Sequence, residues 1–184
     1  MRIESLSRMI LGSLLVLSPV WLSALHPSDP AGAEIVVERV KRVSRDEVHF
    51  GLKVSNRSKR PVFLAGMNYE SGPRLDLVFI EQRQPDQGWR RSYCMDTLPP
   101  DVIKLDPGEA IAWELWGTLP MSVVCRNPIT KFEGTFRFRL EYFDSEKQLR
   151  TYLHNLFGVT GEEVRPRIAI SRIFEIPPIP KADD

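Results

Sequence analysis

Apolar and polar residues alternate along much of the chain with the two-residue period of a β-strand. Val48–Ser55 shows it most cleanly: Val48, Phe50, Leu52 and Val54 fall on one face, His49, Gly51, Lys53 and Ser55 on the other. Gly134–Phe143 repeats it, with Phe136, Phe138, Leu140 and Tyr142 against Arg137, Arg139 and Glu141. Ala110–Trp116 sets Ile111, Trp113 and Leu115 on one face. Glu34–Val43 is rich in valine, but Val37, Val40 and Val43 break strict alternation, which a bulge reconciles. Leu75–Gln82 is apolar on both faces and predicts a central strand. Shorter strands are predicted at Pro61–Ala65, Trp89–Cys94, Val102–Leu105 and Ile168–Ile176.

One segment has a different period. Leu149, Tyr152, Leu153, Leu156 and Phe157 follow helical spacing, Ser145 and Gln148 stand at capping-box distance, and Gly158 can end the element. The pattern predicts a helix over 146–157. In Asp106-Pro107-Gly108-Glu109 the proline fixes φ and the glycine supplies a positive φ, so a type II turn is expected. About eight short strands, regular turns and one helix before the last strand predict an all-β, two-sheet sandwich over 34–176. Pro177, Pro178 and Pro180 predict a disordered tail at 177–184.

The N-terminal stretch lies outside this pattern. Arg2 and Arg8 precede an apolar run from Met9 to Leu25, and Ala31-Gly32-Ala33 comes next. That order is a secretory signal over 1–33 with cleavage after Ala33; a second site lies after Ala24. The competing reading is an uncleaved membrane anchor over 9–25. With cleavage, the protein is exported to the periplasm or the extracellular space and has no stable membrane insertion. The whole chain of 184 residues has 25 Lys+Arg, 24 Asp+Glu and a formal net charge of +1. Such balance argues against nucleic-acid binding, which needs a clustered excess of cations.

The run Leu52-Lys53-Val54-Ser55-Asn56-Arg57-Ser58 is succeeded by Pro61-Val62, then Leu75-Asp76-Leu77-Val78-Phe79 and Gly88-Trp89. Leu105-Asp106-Pro107-Gly108-Glu109 and Phe136-Arg137-Phe138-Arg139-Leu140 come after. Together these resemble a bacterial immunoglobulin-like sandwich of the intracellular proteinase inhibitor type. The resemblance implies that fold and the binding of a protein. The signal sequence and the helix depart from the family, which acts inside cells.

Cys94 and Cys125 are the only cysteines, and in an oxidising compartment an even count predicts a disulfide. Met67, Met95 and Met121 with Cys94 are soft ligands of the kind Cu(I) takes, but loop methionines more often fill gaps, and no metal site or cofactor is assigned. His49 and His154 belong to no ligand pattern, and no GxSxG elbow, phosphate loop or dinucleotide fingerprint occurs. Asn56-Arg57-Ser58 fits a glycosylation sequon and equally a turn. The reading is therefore an exported, non-catalytic sandwich that binds a protein partner, as a protease-inhibitor-like or envelope interaction module. Loops 94–101 and 117–130 are its expected contacts, with Met95, Leu98, Pro99, Pro100 and Met121 as candidates. The alternative is an accessory carbohydrate-binding module using exposed Trp89 and Trp116.

Overall fold

The computed structural model describes residues 32–70, 72–86, 88–94, 101–119, 125–126, 128–156, 158 and 162–178. The predicted signal or anchor lies outside them apart from Gly32 and Ala33, and only Pro177 and Pro178 of the predicted tail fall within. Among the described residues no helix is long and apolar enough to cross a membrane.

The protein is mostly β. The strands are β1 (Ala33–Arg42), β2 (Glu47–Asn56), β3 (Val62–Tyr69), β4 (Gly72–Leu75), β5 (Val78–Arg83), β6 (Trp89–Arg91) and β7 (Tyr93–Cys94). They continue with β8 (Asp101–Leu105), β9 (Ala110–Thr118), β10 (Cys125–Arg126), β11 (Thr135–Tyr142), β12 (Arg167–Ile170) and β13 (Phe174–Glu175), with helix α1 (Glu146–Leu156) between β11 and β12. All pairings among them are antiparallel. One sheet runs β1-β2-β9, a second β12-β11-β5-β6 with β13 also on β11, a third β4-β3-β8, and β10 pairs β7. An isolated bridge, Phe63–Phe143, links the second and third sheets.

The apolar faces of the three larger sheets meet in one core. Val48, Phe50, Leu52 and Val54 come from β2, Leu64 from β3, and Phe136, Phe138 and Leu140 from β11, all within 1% of full burial. The Phe50 and Phe138 rings meet edge to face at 5.2 Å, a favoured aromatic geometry. The expected bulge falls between Val37 and Arg39, so that Val37 opposes Leu52 and Val40 opposes Phe50. It returns both valines to the core side, and the odd spacing of the sequence is thereby satisfied.

Three expected strands are interrupted, each for a local reason. Leu75–Gln82 breaks at Asp76-Leu77, where Leu77 has a φ of 53°. Leu75 still pairs with Gly66 of β3, whereas Val78 pairs with Leu140 of β11, so the chain changes sheets there. It is apolar on both faces because its two halves serve different packing: Leu75 enters the main core, while Leu77 and Phe79 join a second cluster under α1. Trp89–Cys94 is divided at buried Ser92: β6 lies on β5, with the Ser92 N–H still donating in register to the Ile80 carbonyl, whereas Tyr93 and Cys94 pair with β10. Ile168–Ile176 breaks after Ser171, whose hydroxyl accepts the Phe138 N–H at 2.8 Å and stands in for a ladder bond.

Helix α1 starts as its sequence requires. The Gln148 N–H donates to Ser145 Oγ at 3.3 Å, and Gly158 beyond the helix takes a φ of 89°, which a residue without Cβ adopts freely. Leu149 and Leu153 bury against Ala65, Leu77, Phe79 and Phe143. Leu156 is exposed instead of packed, and Phe157 lies outside the described residues. Gly108, at a φ of 84°, closes the expected turn with the Glu109 N–H on the Asp106 carbonyl. Asn56-Arg57-Ser58 is a clasped turn: Asn56 is buried, and its amide donates to the carbonyls of Arg60 and Leu105.

Candidate functional site

The two candidate tryptophans stand on different sheets and have opposite surroundings. Trp116 projects from the outer face of β9 and is 66% exposed. Its register partner on β2 is His49, and the two rings stack at 5.2 Å with 14° between their planes. His49 is fixed in turn by Glu47, whose Oε1 meets Nε2 at 2.7 Å. A carboxylate only accepts, so Nε2 carries the proton. Two residues before Trp116 on the same face, Glu114 pairs with Arg39 of β1. That pair spans Gly51, which opposes Glu114 on β9 and Arg39 on β1. Trp113 faces inward and packs against the core, as spacing of three from Trp116 demands.

Trp89, on β6, is half-buried and already occupied: the Arg137 guanidinium lies 4.0 Å from its ring centre. Arg137 donates from Nε to Glu81 at 2.7 Å, and the Glu81 side chain is 6% exposed. Further along this outer face, Glu141 is 4% exposed. It accepts from Arg91 at 2.9 Å, from Arg139 at 3.3 Å and from the Tyr152 hydroxyl of α1 at 2.8 Å. Arg91 also lies 5.0 Å from the Phe79 ring centre. These carboxylates are held by cations, and Glu141 is held also by the Tyr152 hydroxyl of the helix. At the start of β12, Asp144 holds Arg167 at 2.7 Å and raises the guanidinium pKa above its ordinary value, chiefly by charge attraction.

A third feature lies where β1 meets β12 and β13. An open groove of about 610 Å³ is lined by Ile35, Val36, Glu38, Ile170, Ile173 and Phe174, among others. Of its lining residues, Val36, Ile170 and Ile173 are large apolar side chains left exposed. β1 and β12 are both edge strands of their sheets. Nothing local in the sequence singles these residues out, because one exposed aliphatic is ordinary, and only the chain's return at 168–174 gathers them. The available signal is the strand face that Ile168 and Ile170 share and Ala169 does not.

Cys94 and Cys125 are direct register partners in the β7–β10 ladder. Met95, Leu98, Pro99, Pro100 and Met121 lie outside the described residues, as does most of the two expected contact loops. Met67 is on β3, where it accepts from the Tyr69 hydroxyl at 3.5 Å. His154 is exposed on α1, and His49 meets a carboxylate and an indole. Among the described residues no group of three His, Cys, Asp or Glu is placed to hold a metal ion.

No family model matches the chain, and no curated protein matches it. Among solved structures, a β-glucosidase from Kluyveromyces marxianus in complex with glucose is similar at 12% identity and a TM-score of 0.31, covering 80% of this chain and 14% of that chain. The chain thus matches about a seventh of that enzyme's length, and a likeness at this TM-score defines neither fold nor function.

Proposed function

We propose that the chain is an exported, non-catalytic immunoglobulin-like β-sandwich that binds a protein partner by taking an extended segment of it onto the β1 edge. The observation that carries this reading is the groove between β1 and β12–β13, rimmed by Val36, Ile170 and Ile173. Extended peptides add to open sheet edges through main-chain hydrogen bonds and gain specificity from alternate side chains seated in apolar pockets. The bulge at Val37/Arg39 and the charged Arg39, Lys41 and Arg42 blunt the second half of β1, as edge strands commonly are. The first half, Ala33–Val37, has no bulge and a single charge, Glu34, which is held by Arg57. Glu38 and Arg172, on either side of the groove, have no ion partner among the described residues and can fix the polarity of a bound segment.

The opposed register of Cys94 and Cys125 supports a disulfide, because directly opposed Cα atoms lie about 4.5–5.5 Å apart, within disulfide reach. Such a bridge accords with export.

The reading is tested by selecting extended peptides from a displayed random library against the full chain and repeating the binding with Ile173→Asp and Val36→Asp. Selected peptides with alternating apolar residues should lose about tenfold or more in affinity to both variants, while thermal melting stays unchanged. No selected binder, or binders indifferent to both substitutions, would overturn it.

A further inference from the structure

We propose that Gly32 and Ala33 belong to the working domain, so that the cut releasing the leader lies upstream, after Ala24, and not after Ala33. The proposal rests on export as read above and replaces the cleavage point expected at Ala31-Gly32-Ala33.

Ala33 is the first residue of β1 and is built into the core. It pairs with Asn56 of β2, is 2% exposed and joins the apolar cluster of Ile35, Val54 and Tyr142. Gly32, one residue earlier, already continues the ladder: its carbonyl accepts the Arg57 N–H at 2.8 Å. Its place leaves no room for a side chain. A Cβ on Gly32 would stand 2.6 Å from the Tyr142 hydroxyl and 2.8 Å from the ring atom Cε2. Carbon atoms in good contact keep about 3.5–4.0 Å. Tyr142 lies on β11 and is only 5% exposed, so Gly32 sits where the first sheet closes on the second. Glycine is the residue that permits so close an approach. A glycine fitted to a buried ring of the domain has a use only if it stays in the domain.

A cut after Ala33 would undo this corner. It would remove the buried Ala33 side chain, strip Gly32 from over Tyr142 and leave the Arg57 N–H without its acceptor. It would also put a charged α-amino group on Glu34, at the first remaining rung of β1. That rung belongs to the half of β1 that offers its edge to the groove. Upstream, Leu22-Ser23-Ala24 places a small residue near the end of the apolar run. There water adds across the Ala24–Leu25 peptide bond, leaving a carboxylate on Ala24 and an amine on Leu25.

The test expresses the full chain with its leader in a bacterial host and recovers the protein from the envelope fraction. Intact mass and N-terminal sequencing then read its first residue, which should be Leu25. A start at Glu34 would overturn the proposal and leave export standing; a start at Met1 would overturn both. Gly32→Val supplies a second readout, because the middle position of Ala31-Gly32-Ala33 is unrestricted in a small-x-small cleavage site. With Gly32 retained, the recovered mass includes the valine, and its branched side chain against Tyr142 should lower the melting temperature by about 4 °C or more. Gly32→Ala, with less to accommodate, should show a smaller fall. If the cut falls after Ala33, both variants release the wild-type protein, and unchanged mass and melting would overturn the proposal.

Discussion

The outer faces of β1-β2-β9 and of β5-β6-β11 are built from the same materials and put them to different ends. Each carries a tryptophan, glutamates and arginines on the polar side of alternating strands. On the first face the Arg39–Glu114 side chains are 60% and 47% exposed, and Trp116 stands in water. On the second, Glu81 and Glu141 are 6% and 4% exposed, and Trp89 lies against Arg137. At Glu81 the difference comes from Arg137, which lies on Trp89, and at Glu141 from the element next after β11. Helix α1 folds back, supplies the Tyr152 hydroxyl to Glu141 and closes the second apolar cluster. Nothing among the described residues covers the first face. An outward polar position is thus structural or available according to the side chain or element that lies over it.

The largest effect should come from breaking the covered network. Glu141→Ala leaves Arg91, Arg139 and the Tyr152 hydroxyl without their common acceptor. Three charge-assisted hydrogen bonds are lost, each worth about 1.5–3 kcal/mol and less where Arg91, with its side chain 44% exposed, reaches solvent, and urea unfolding should show a total loss of about 3–5 kcal/mol. A loss below about 1 kcal/mol would mean that water reaches the network and that the two faces do not differ in kind.

Nearly as large is the effect expected at the cysteines. β7 comes directly after β6 of the covered face and β10 comes after β9 of the open one, so a Cys94–Cys125 bridge would tie together the chain leaving each. Closing a loop of about 30 residues is worth about 3–4 kcal/mol in the chain-entropy account. Cys94→Ser and Cys125→Ser should each remove that stability, and the wild-type protein should lose it on reduction. Non-reducing peptide mapping that finds both thiols free would dismiss the bridge.

The tryptophans give a direct comparison of intermediate size. Trp89→Ala removes the ring over Arg137 and should cost about 1–2 kcal/mol. Trp116→Ala, at an exposed site, should stay within about 0.5 kcal/mol. Equal losses in thermal melting would erase the distinction between a structural ring and a free one.

That distinction marks where the sequence stops being informative. The two-residue period reveals β2, β9 and β11, the uneven valines reveal the bulge of β1, and capping residues bound α1, because each is local chemistry. Both tryptophans are visible as candidates. Which one is free is not visible, since it depends on Arg137 lying beside Trp89 and on the register that sets His49 against Trp116. The change of sheet at Asp76-Leu77 is hidden for the same reason. An apolar residue burying in a second cluster reads no differently from one in the first. The groove needs even more, since Val36 and Ile173 are brought together only by the tertiary path of the chain.

The smallest effect is the most exacting test of the comparison. Arg39 and Glu114 are paired across Gly51 but remain largely in solvent, so their attraction is weakened by water and offset by the entropy of fixing two long side chains. A double-mutant cycle with Arg39→Ala and Glu114→Ala should give a coupling of about 0.2–1 kcal/mol at low salt. Raising the salt to about 1 M shortens the screening length to about 3 Å and should bring that coupling close to zero. The parallel cycle on Arg91 and Glu141 should keep a larger share of its coupling, because Glu141 is almost wholly covered although the Arg91 side chain is 44% exposed. If salt reduces both couplings alike, Glu141 under α1 is as solvated as Glu114 beside Trp116. Burial would then not be what separates the two faces.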